Sequence, residues 1–204
     1  MARTQAPDYE ERRQAIIEHA AGLYAERGFL GASVSELAEA CSTSKSLIYH
    51  YFPSKEDILF EVMQSHIKSL VDAVEDVEQS TGSPQEKLRA LTREFMRLYA
   101  GAGARQKVLL NELDRLPASS RALIVNEQRQ LIAFVESLLK AIDPSIEQPR
   151  LRPAAMLYFG IINWTHTWYR SAGPVPPEEI ADMATQMALR GLRSDRTTPP
   201  EGEN

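Results

Sequence analysis

Apolar residues recur at three- and four-residue spacing along most of the chain, and the pattern is most informative between Ser33 and Lys55. Ser33 and Glu36 form an S-x-x-E capping box, which predicts that a helix begins at Val34. One face of this helix is apolar and carries Val34, Leu37, Ala38 and Cys41. The three hydroxyl residues at 42–44 favour caps over helix interiors, so we expect the chain to turn there and begin a second short helix.

The second short helix is predicted to have two faces of opposite character. Ile48 and Phe52 lie one turn apart and are expected to pack inward. The opposite face carries Lys45, Ser46, Tyr49 and His50. Pro53 ends this helix, and Ser54 with Asp57 forms a second capping box that starts a longer helix. Two short helices joined by a tight turn, with a polar outer face on the second, are typical of a helix-turn-helix, whose second helix enters the DNA major groove.

The remaining pattern predicts seven more helices and no strand, so the predicted fold class is all-α with nine helices. Their expected bounds are Asp8–Arg27 (closed by Gly28), Lys55–Gln79, Pro84–Gly101, Arg105–Leu116, Ala118–Ile142, Arg152–Ser171 and Pro177–Leu192. A proline-punctuated linker is expected over 143–153. We expect a three-helix DNA-binding domain at 1–54, a ligand-binding and dimerisation domain at 55–193, and a disordered polar tail at 194–204.

Composition narrows the function less than local charge does. The net charge of −5 would by itself argue against nucleic acid, but the segment 42–55 contains Lys45, His50 and Lys55 and no acidic residue. Arg3, Arg12 and Arg13 near the first helix are candidates for contacts with phosphate, or they are simply solvated surface charges. The single cysteine excludes an internal disulfide, and no C-x-x-C or histidine pair has metal-ligand spacing. We therefore expect no metal and no cofactor.

The sequence also carries no signal for a membrane or for export. The N-terminal residues are polar, and the longest apolar stretch, 154–168, is shorter than the roughly 20 residues that span a bilayer. We expect a cytoplasmic protein that does not cross a membrane.

The run SKSLIYHYFPSKEDIL, from Ser44 to Leu59, resembles the DNA-binding head of the TetR family of transcriptional regulators. The resemblance covers about the first quarter of the chain without a gap, although that family usually has Gly-Val where this chain has Ser42-Thr43. It implies a TetR-like fold and a dimer on a palindromic operator in double-stranded DNA, with the two heads about 34–36 Å apart. The residues expected to bind DNA are Ser33, Thr43, Ser44, Lys45, Ser46, Tyr49, His50, Tyr51 and Lys55. Of these, Thr43, Lys45, Ser46 and His50 are expected to read bases, and Ser33, Tyr49, Tyr51 and Lys55 to anchor phosphates.

The last two predicted helices have the character of a dimer interface. The segment 154–168 is apolar on nearly all sides, so other helices are expected to bury every face of it. The final helix presents small residues at Ala184, Ala188 and Gly191, which permit close packing against a partner. Two such helices from each of two chains would form a four-helix interface, which agrees with how the TetR family dimerises. We therefore expect a homodimer through the last two helices.

A second resemblance lies in the run FGIINWTHTWYRSAGP, from Phe159 to Pro174. It is similar to TetR-type regulators of fatty-acid, steroid-ring or phenylacetate breakdown, and implies release from DNA by an acyl-CoA thioester, with phenylacetyl-CoA as the best candidate. An acyl chain requires an apolar tunnel, a thioester carbonyl requires donors, and the nucleotide end requires cations. The expected ligand-binding residues are Phe95, Tyr99, Leu110, Arg129, Phe134, Phe159, Asn163 and Trp164. Plain core packing is the alternative for each of the aromatic residues.

Two other functions remain open at this point. The DNA-binding head could serve an efflux regulator that senses lipophilic drugs, in which case Glu112 and Asp114 are the candidate carboxylates for a cationic ligand. A small enzyme acting on CoA thioesters would need Cys41 as nucleophile and a histidine as base. Because Cys41 falls on the inward face of its helix, we expect the protein not to be an enzyme.

Overall fold

The computed structural model describes residues 7–193 of the 204-residue chain, so the predicted tail at 194–204 and Arg3 lie outside the described residues. Within that range the fold is all-α, as predicted, with nine helices of seven residues or more and no strand. They are α1 (Pro7–Gly31), α2 (Val34–Ala40), α3 (Lys45–Tyr51), α4 (Lys55–Gln79), α5 (Pro84–Gly101), α6 (Gly103–Asn111), α7 (Ala118–Ile142), α8 (Gln148–Asn163) and α9 (Pro177–Arg193). A 3₁₀ turn at Leu113–Arg115 and a single helical turn at Thr165–Trp168 complete the described chain.

The sixth predicted helix, Arg105–Leu116, was wrong at both ends. The α-helix runs over Gly103–Asn111 and gives way at Glu112 to the 3₁₀ turn. Leu116 is extended, with φ −74° and ψ 145°. Leu116 is extended because the next residue is Pro117, and a proline disfavours helical backbone for the residue before it.

The predicted linker at 143–153 and the predicted helix Arg152–Ser171 were also wrong. Helix α8 begins at Gln148 and contains Pro153 in its second turn, where the missing N–H removes one backbone hydrogen bond from the helix. The helix ends at Asn163, well before Ser171. There the Thr165 hydroxyl donates to the Ile162 carbonyl and the Thr167 hydroxyl to the Trp164 carbonyl, so side chains compete for the backbone groups that would continue the helix.

The chain forms two compact units, each with its own core. The first unit comprises 7–69 and 102–128, and α6 packs against α1 within it. Its most buried side chains include Ile17, Leu37, Ile48, Ile58, Leu59 and Met63. The second unit comprises 70–101 and 129–193, and α9 packs against α5 and α8. Its core includes Leu88, Leu91, Phe95, Met96, Tyr158 and Ile162. The predicted domain boundary after residue 54 stays a prediction.

None of the helices between residues 7 and 193 has both the length and the apolar composition needed to cross a membrane.

Candidate functional site

Helices α2 and α3 are joined by a tight turn that local hydrogen bonds define. The Ser33 hydroxyl accepts from the Glu36 backbone N–H and the Glu36 carboxylate accepts from the Ser33 N–H, which is the predicted capping box. Between the helices, Ser42 has a φ of 49°, and the Thr43 N–H donates to the Ala38 carbonyl at 2.8 Å. The left-handed backbone at position 42 favours glycine, so a serine there adopts a conformation that L-residues rarely take.

The start of α3 is fixed by Ser44, whose hydroxyl accepts from the Leu47 N–H at 3.2 Å. Ile48 and Phe52 are buried, as predicted from their spacing. The opposite face is exposed to solvent and consists of Lys45, Ser46, Tyr49 and His50. This exposed face of α3 offers an ammonium group, a hydroxyl and two flat rings, which are donors and stacking groups suited to base edges and phosphates.

Tyr51 differs from its neighbours because it contacts α1. Its ring lies 4.6 Å from the ring of Tyr9, centroid to centroid, and His50 packs edge-on against both tyrosines. Sequence reasoning missed Tyr9, since only its separation from Tyr51 along the chain is visible in the sequence. The only signal in the sequence is an aromatic residue in the first turn of the first helix of the predicted DNA-binding domain.

Lys55, predicted as a phosphate anchor, makes its contacts inside the first unit. Its ammonium group donates to the Phe29 backbone carbonyl and lies 4.1 Å from the centre of the Phe29 ring. Burial lowers the pKa of Lys55, and the carboxylates of Glu56 and Glu36 partly oppose that shift. The side chain therefore ties the start of α4 to the end of α1, and its contact with phosphate stays a prediction.

Arg13 on α1 also points into the first unit. It forms an ion pair with Glu61 of α4, and its guanidinium lies 5.2 Å from the centre of the Phe52 ring. The sequence left two interpretations open for this arginine, a solvated surface charge and a contact with phosphate. The ion pair with Glu61 and the contact with the Phe52 ring are a third arrangement that the sequence did not predict.

Four of the predicted ligand-binding residues lie together in the second unit. The Phe95 ring is 6.2 Å from the rings of both Tyr99 and Phe159, and all three side chains are buried. The Tyr99 hydroxyl donates to the Asn163 amide oxygen at 2.9 Å. Aromatic packing around one polar pair joins α5 to α8 here.

The other predicted ligand-binding residues are more exposed. Trp164 has 65 % of its surface exposed, and Arg129 is exposed as well. Phe134 is partly exposed on α7. Leu110 is partly exposed and belongs to the first unit, in α6. The full set of eight residues stays a prediction.

A groove of about 670 Å³ opens elsewhere in the second unit, where α7, the 143–147 turn, α8 and α9 meet. Its apolar lining includes Leu139, Ile146, Leu157, Ile161 and Met187. None of the eight predicted ligand-binding residues lines it. Leu157 and Met187 are 71 % and 64 % exposed, and Met156 on α8, Trp168 in the turn after α8 and Met183 on α9 are further exposed apolar side chains of the second unit. The exposed apolar side chains on and next to these helices are called the apolar patch on α8 and α9 below.

Two family models match the chain. The model described as "Bacterial regulatory proteins, tetR family" covers residues 16–62, which include α2, the turn and the exposed face of α3. The model described as "Tetracyclin repressor-like, C-terminal domain" covers residues 81–192, more than half of the chain. The chain belongs to the TetR family. Regulators of this family bind operator DNA and small-molecule effectors and act as dimers, and the TetR-family protein described here is therefore a transcriptional regulator and not an enzyme.

Similar proteins agree with the family assignment. The HTH-type transcriptional repressor KstR2 of Mycobacterium tuberculosis is 25 % identical over 93 % of this chain and 97 % of its own length. A TetR-family transcriptional regulator from Bordetella parapertussis 12822 is 36 % identical, with 87 % of this chain and 93 % of that one covered and a TM-score of 0.84. AibR, solved in complex with isovaleryl coenzyme A and operator DNA, is 29 % identical with a TM-score of 0.77, covering 86 % of this TetR-family chain and 97 % of AibR.

Cys41 fits the role of a structural residue better than that of a nucleophile. It lies at the C-terminal cap of α2 and is partly buried. Burial raises the pKa of the Cys41 thiol above its ordinary value, so the reactive thiolate is disfavoured at neutral pH.

Proposed function

We propose that this protein is a dimeric one-component transcriptional repressor that binds palindromic operator DNA and is released by an acyl-CoA thioester, with phenylacetyl-CoA as the best candidate. The observation that carries the proposal is the exposed face of α3, because Lys45, Ser46, Tyr49 and His50 lie on the side opposite to the buried Ile48 and Phe52. No acidic side chain occurs between residues 42 and 55, so the DNA backbone meets no repulsion from this segment.

The apolar patch on α8 and α9 supports dimerisation through these two helices. Leu157, Trp164 and Met187 are each more than 60 % exposed in the single chain. Large contiguous apolar patches on a water-soluble surface mark interaction sites. A second copy that presents the same patch would cover them in a two-fold symmetric interface. Two heads per molecule are also needed to read two half-sites of a palindrome.

The aromatic cluster of Phe95, Tyr99 and Phe159 supports an effector with an acyl or aryl group. These rings supply the apolar contact, and the Tyr99 hydroxyl and the Asn163 amide supply polar atoms within reach of it. A thioester carbonyl that accepts from Tyr99 would replace one hydrogen bond by another, at little net cost. Arg129 is an exposed cation suited to a phosphate at the nucleotide end. AibR, bound to isovaleryl coenzyme A, supplies the comparison that favours a CoA thioester.

Release requires that the effector distinguish two states of the protein. To change the DNA-competent population from 99 % to 1 %, it must bind the DNA-incompetent state about 10⁴-fold more tightly. Helices α4 and α7 each contribute residues to both compact units. A change in the tilt of these helices on effector binding would therefore alter the position of α3.

The alternative effector, a lipophilic cation, has less support. Asp114, one of its two candidate carboxylates, is 91 % exposed and pairs with Arg121 at 3.2 Å. Glu112, the other, lies 3.9 Å from Arg115. A pocket for a cationic drug needs a buried carboxylate without such a partner.

A mobility shift on the protein's own upstream DNA tests the function. We expect a specific complex that phenylacetyl-CoA dissociates at lower concentration than fatty acyl-CoA, while free phenylacetate and free CoA leave it intact. Tyr49→Ala should abolish the complex while the variant remains a dimer by size-exclusion chromatography, and Tyr49→Phe, which keeps the ring but lacks the hydroxyl expected to contact phosphate, should give an intermediate affinity. A complex that responds to cationic dyes and to no thioester would contradict the proposed effector, and an unaltered shift with Tyr49→Ala would contradict the docking of α3.

A further inference from the structure

The rings of Tyr9, His50 and Tyr51 form a three-membered aromatic cluster between α1 and the last turn of α3. The ring centroids of Tyr9 and Tyr51 lie 4.6 Å apart, and the two ring planes are tilted by 34°. His50 packs edge-on against Tyr51 at 5.6 Å and against Tyr9 at 6.4 Å. The edge-on contacts of His50 are a geometry that aromatic pairs prefer, and all three centroid distances lie in the usual range for such pairs.

The cluster differs in burial from an ordinary core. Tyr9 and Tyr51 are partly exposed, and His50 is exposed. Ile48 and Phe52, on the other side of α3, already bury the helix against the first unit. The cluster lies outside this core, and its ring contacts restrict which way the Tyr51 and His50 side chains point.

Side-chain direction matters on a helix that reads DNA. A side chain that is free to adopt several rotamers must be ordered when it meets a base or a phosphate, and that ordering weakens binding. A ring that already packs against its neighbour in the free protein needs no such ordering when it binds DNA. Tyr9 offers such a neighbour to Tyr51 from a separate helix, whose backbone is fixed by the contacts of Arg13 with Glu61 and the Phe52 ring.

We propose that Tyr9 is a positioning residue for operator recognition: its ring orients Tyr51, and through Tyr51 it orients His50, without itself contacting DNA. The inference rests on the proposed docking of α3 in the major groove. Loss of the ring should weaken specific binding about twofold to tenfold, the range expected for one side chain that must be ordered on binding.

The test compares Tyr9→Leu, Tyr9→Phe and the wild-type full-length chain on upstream operator DNA at one fixed salt concentration. Tyr9→Leu should lose twofold to tenfold in specific affinity, and Tyr9→Phe, which keeps the stack, should bind as the wild type does. Affinity for random-sequence DNA should fall less than affinity for the operator in Tyr9→Leu, because the base contact of His50 exists only on the operator, whereas the phosphate contact of Tyr51 exists on both. Urea unfolding should show that each chain is folded, and Tyr9→Met replaces Tyr9→Leu if the leucine variant is not.

A double-variant experiment separates positioning from stability. In a Tyr51→Leu background the further change Tyr9→Leu should have a smaller effect on operator affinity than in the wild type, because the Tyr51 ring is already absent and only the edge-on contact of Tyr9 with His50 remains. Equal losses in both backgrounds, or a Tyr9→Leu chain that binds the operator as tightly as wild type, would overturn the role of Tyr9. A wild-type chain that binds no upstream DNA specifically would overturn the proposed function, and the role of Tyr9 with it.

Discussion

His66 is a buried histidine whose environment opposes charge. It is 2 % exposed on α4, and its Nε2 atom lies 2.7 Å from the Gln106 amide oxygen on α6. Burial lowers the pKa of His66, the hydrogen bond to Gln106 partly raises it, and the nearby Arg105 guanidinium lowers it further. The folded protein therefore holds His66 neutral, while the unfolded chain exposes a histidine with the ordinary pKa of 6.5.

This difference predicts that acid destabilises the protein through His66. As pH falls below 6.5, the unfolded chain takes up a proton that the folded state binds poorly. The free energy of unfolding should then fall by at most about 1.4 kcal/mol per pH unit until the folded-state pKa is reached. Urea titrations between about pH 7.5 and 5.5 measure the loss. His66→Gln should reduce this loss, and equal pH dependence in the wild type and in His66→Gln would exclude the assignment.

Residue-scale features divide into those that the sequence predicts and those that only the fold creates. The capping boxes at Ser33 and Ser83 and the hydroxyl cap at Ser54 were predictable because hydroxyl and carboxylate lie three residues apart on one local turn. The contacts of Lys55 with Phe29 and of Tyr9 with Tyr51 join residues far apart in the chain. No spacing rule reaches them, since they depend on how α1 packs against α3 and α4.

At the scale of elements, α1 shows how one glycine sets a boundary. The helix is interrupted at Gly28, which has φ 73°, and a Cβ placed there would lie 3.3 Å from the Glu112 carboxylate. Gly22, earlier in the same helix, has ordinary helical geometry and open space around the position of a Cβ. The two glycines form a matched pair for one substitution.

We expect alanine to have opposite effects at these two positions. Gly28→Ala should destabilise the protein by about 1–3 kcal/mol, because φ 73° with ψ 160° is a backbone conformation that essentially only glycine adopts, with crowding against Glu112 in addition. Gly22→Ala should stabilise it by about 0.5–1 kcal/mol because alanine loses less backbone entropy in a helix. Urea unfolding of both variants checks the sign. A neutral Gly28→Ala would show that the left-handed conformation is not required.

The bounds of several helices were predicted correctly because they depend on residues at the helix ends themselves. Helices α4, α5 and α7 begin and end where capping residues, prolines and apolar stripes predicted. The predicted start of α8 was wrong. Proline is rare in helix interiors, so Pro153 was assigned to a linker, whereas it lies inside the helix. The candidate ligand residues were harder still, since Phe95 and Phe159 meet only through the packing of α5 on α8.

For the whole molecule the decisive feature is the apolar patch on α8 and α9. Leu157 in this patch and Leu30 on α1 are both leucines with 71 % of their surface exposed, which makes them a matched pair. A carboxylate buried in an apolar interface without a partner costs several kcal/mol, whereas at a solvated position it costs little.

Leu157→Glu should therefore convert the dimer into a monomer, and Leu30→Glu should not. Light scattering coupled to size-exclusion chromatography measures the mass of each. The monomeric variant should also lose affinity for a two-half-site operator while retaining the helical signal of the folded chain by circular dichroism. A Leu157→Glu chain that keeps the dimer mass would place the interface elsewhere.

The two tryptophans of the chain, Trp164 and Trp168, both lie on the exposed apolar surface that follows α8. An indole that moves from water into an apolar contact emits light of shorter wavelength. The protein thus carries an intrinsic fluorescent reporter at the end of α8, and its emission colour records whether that surface faces water or another molecule, with no label attached.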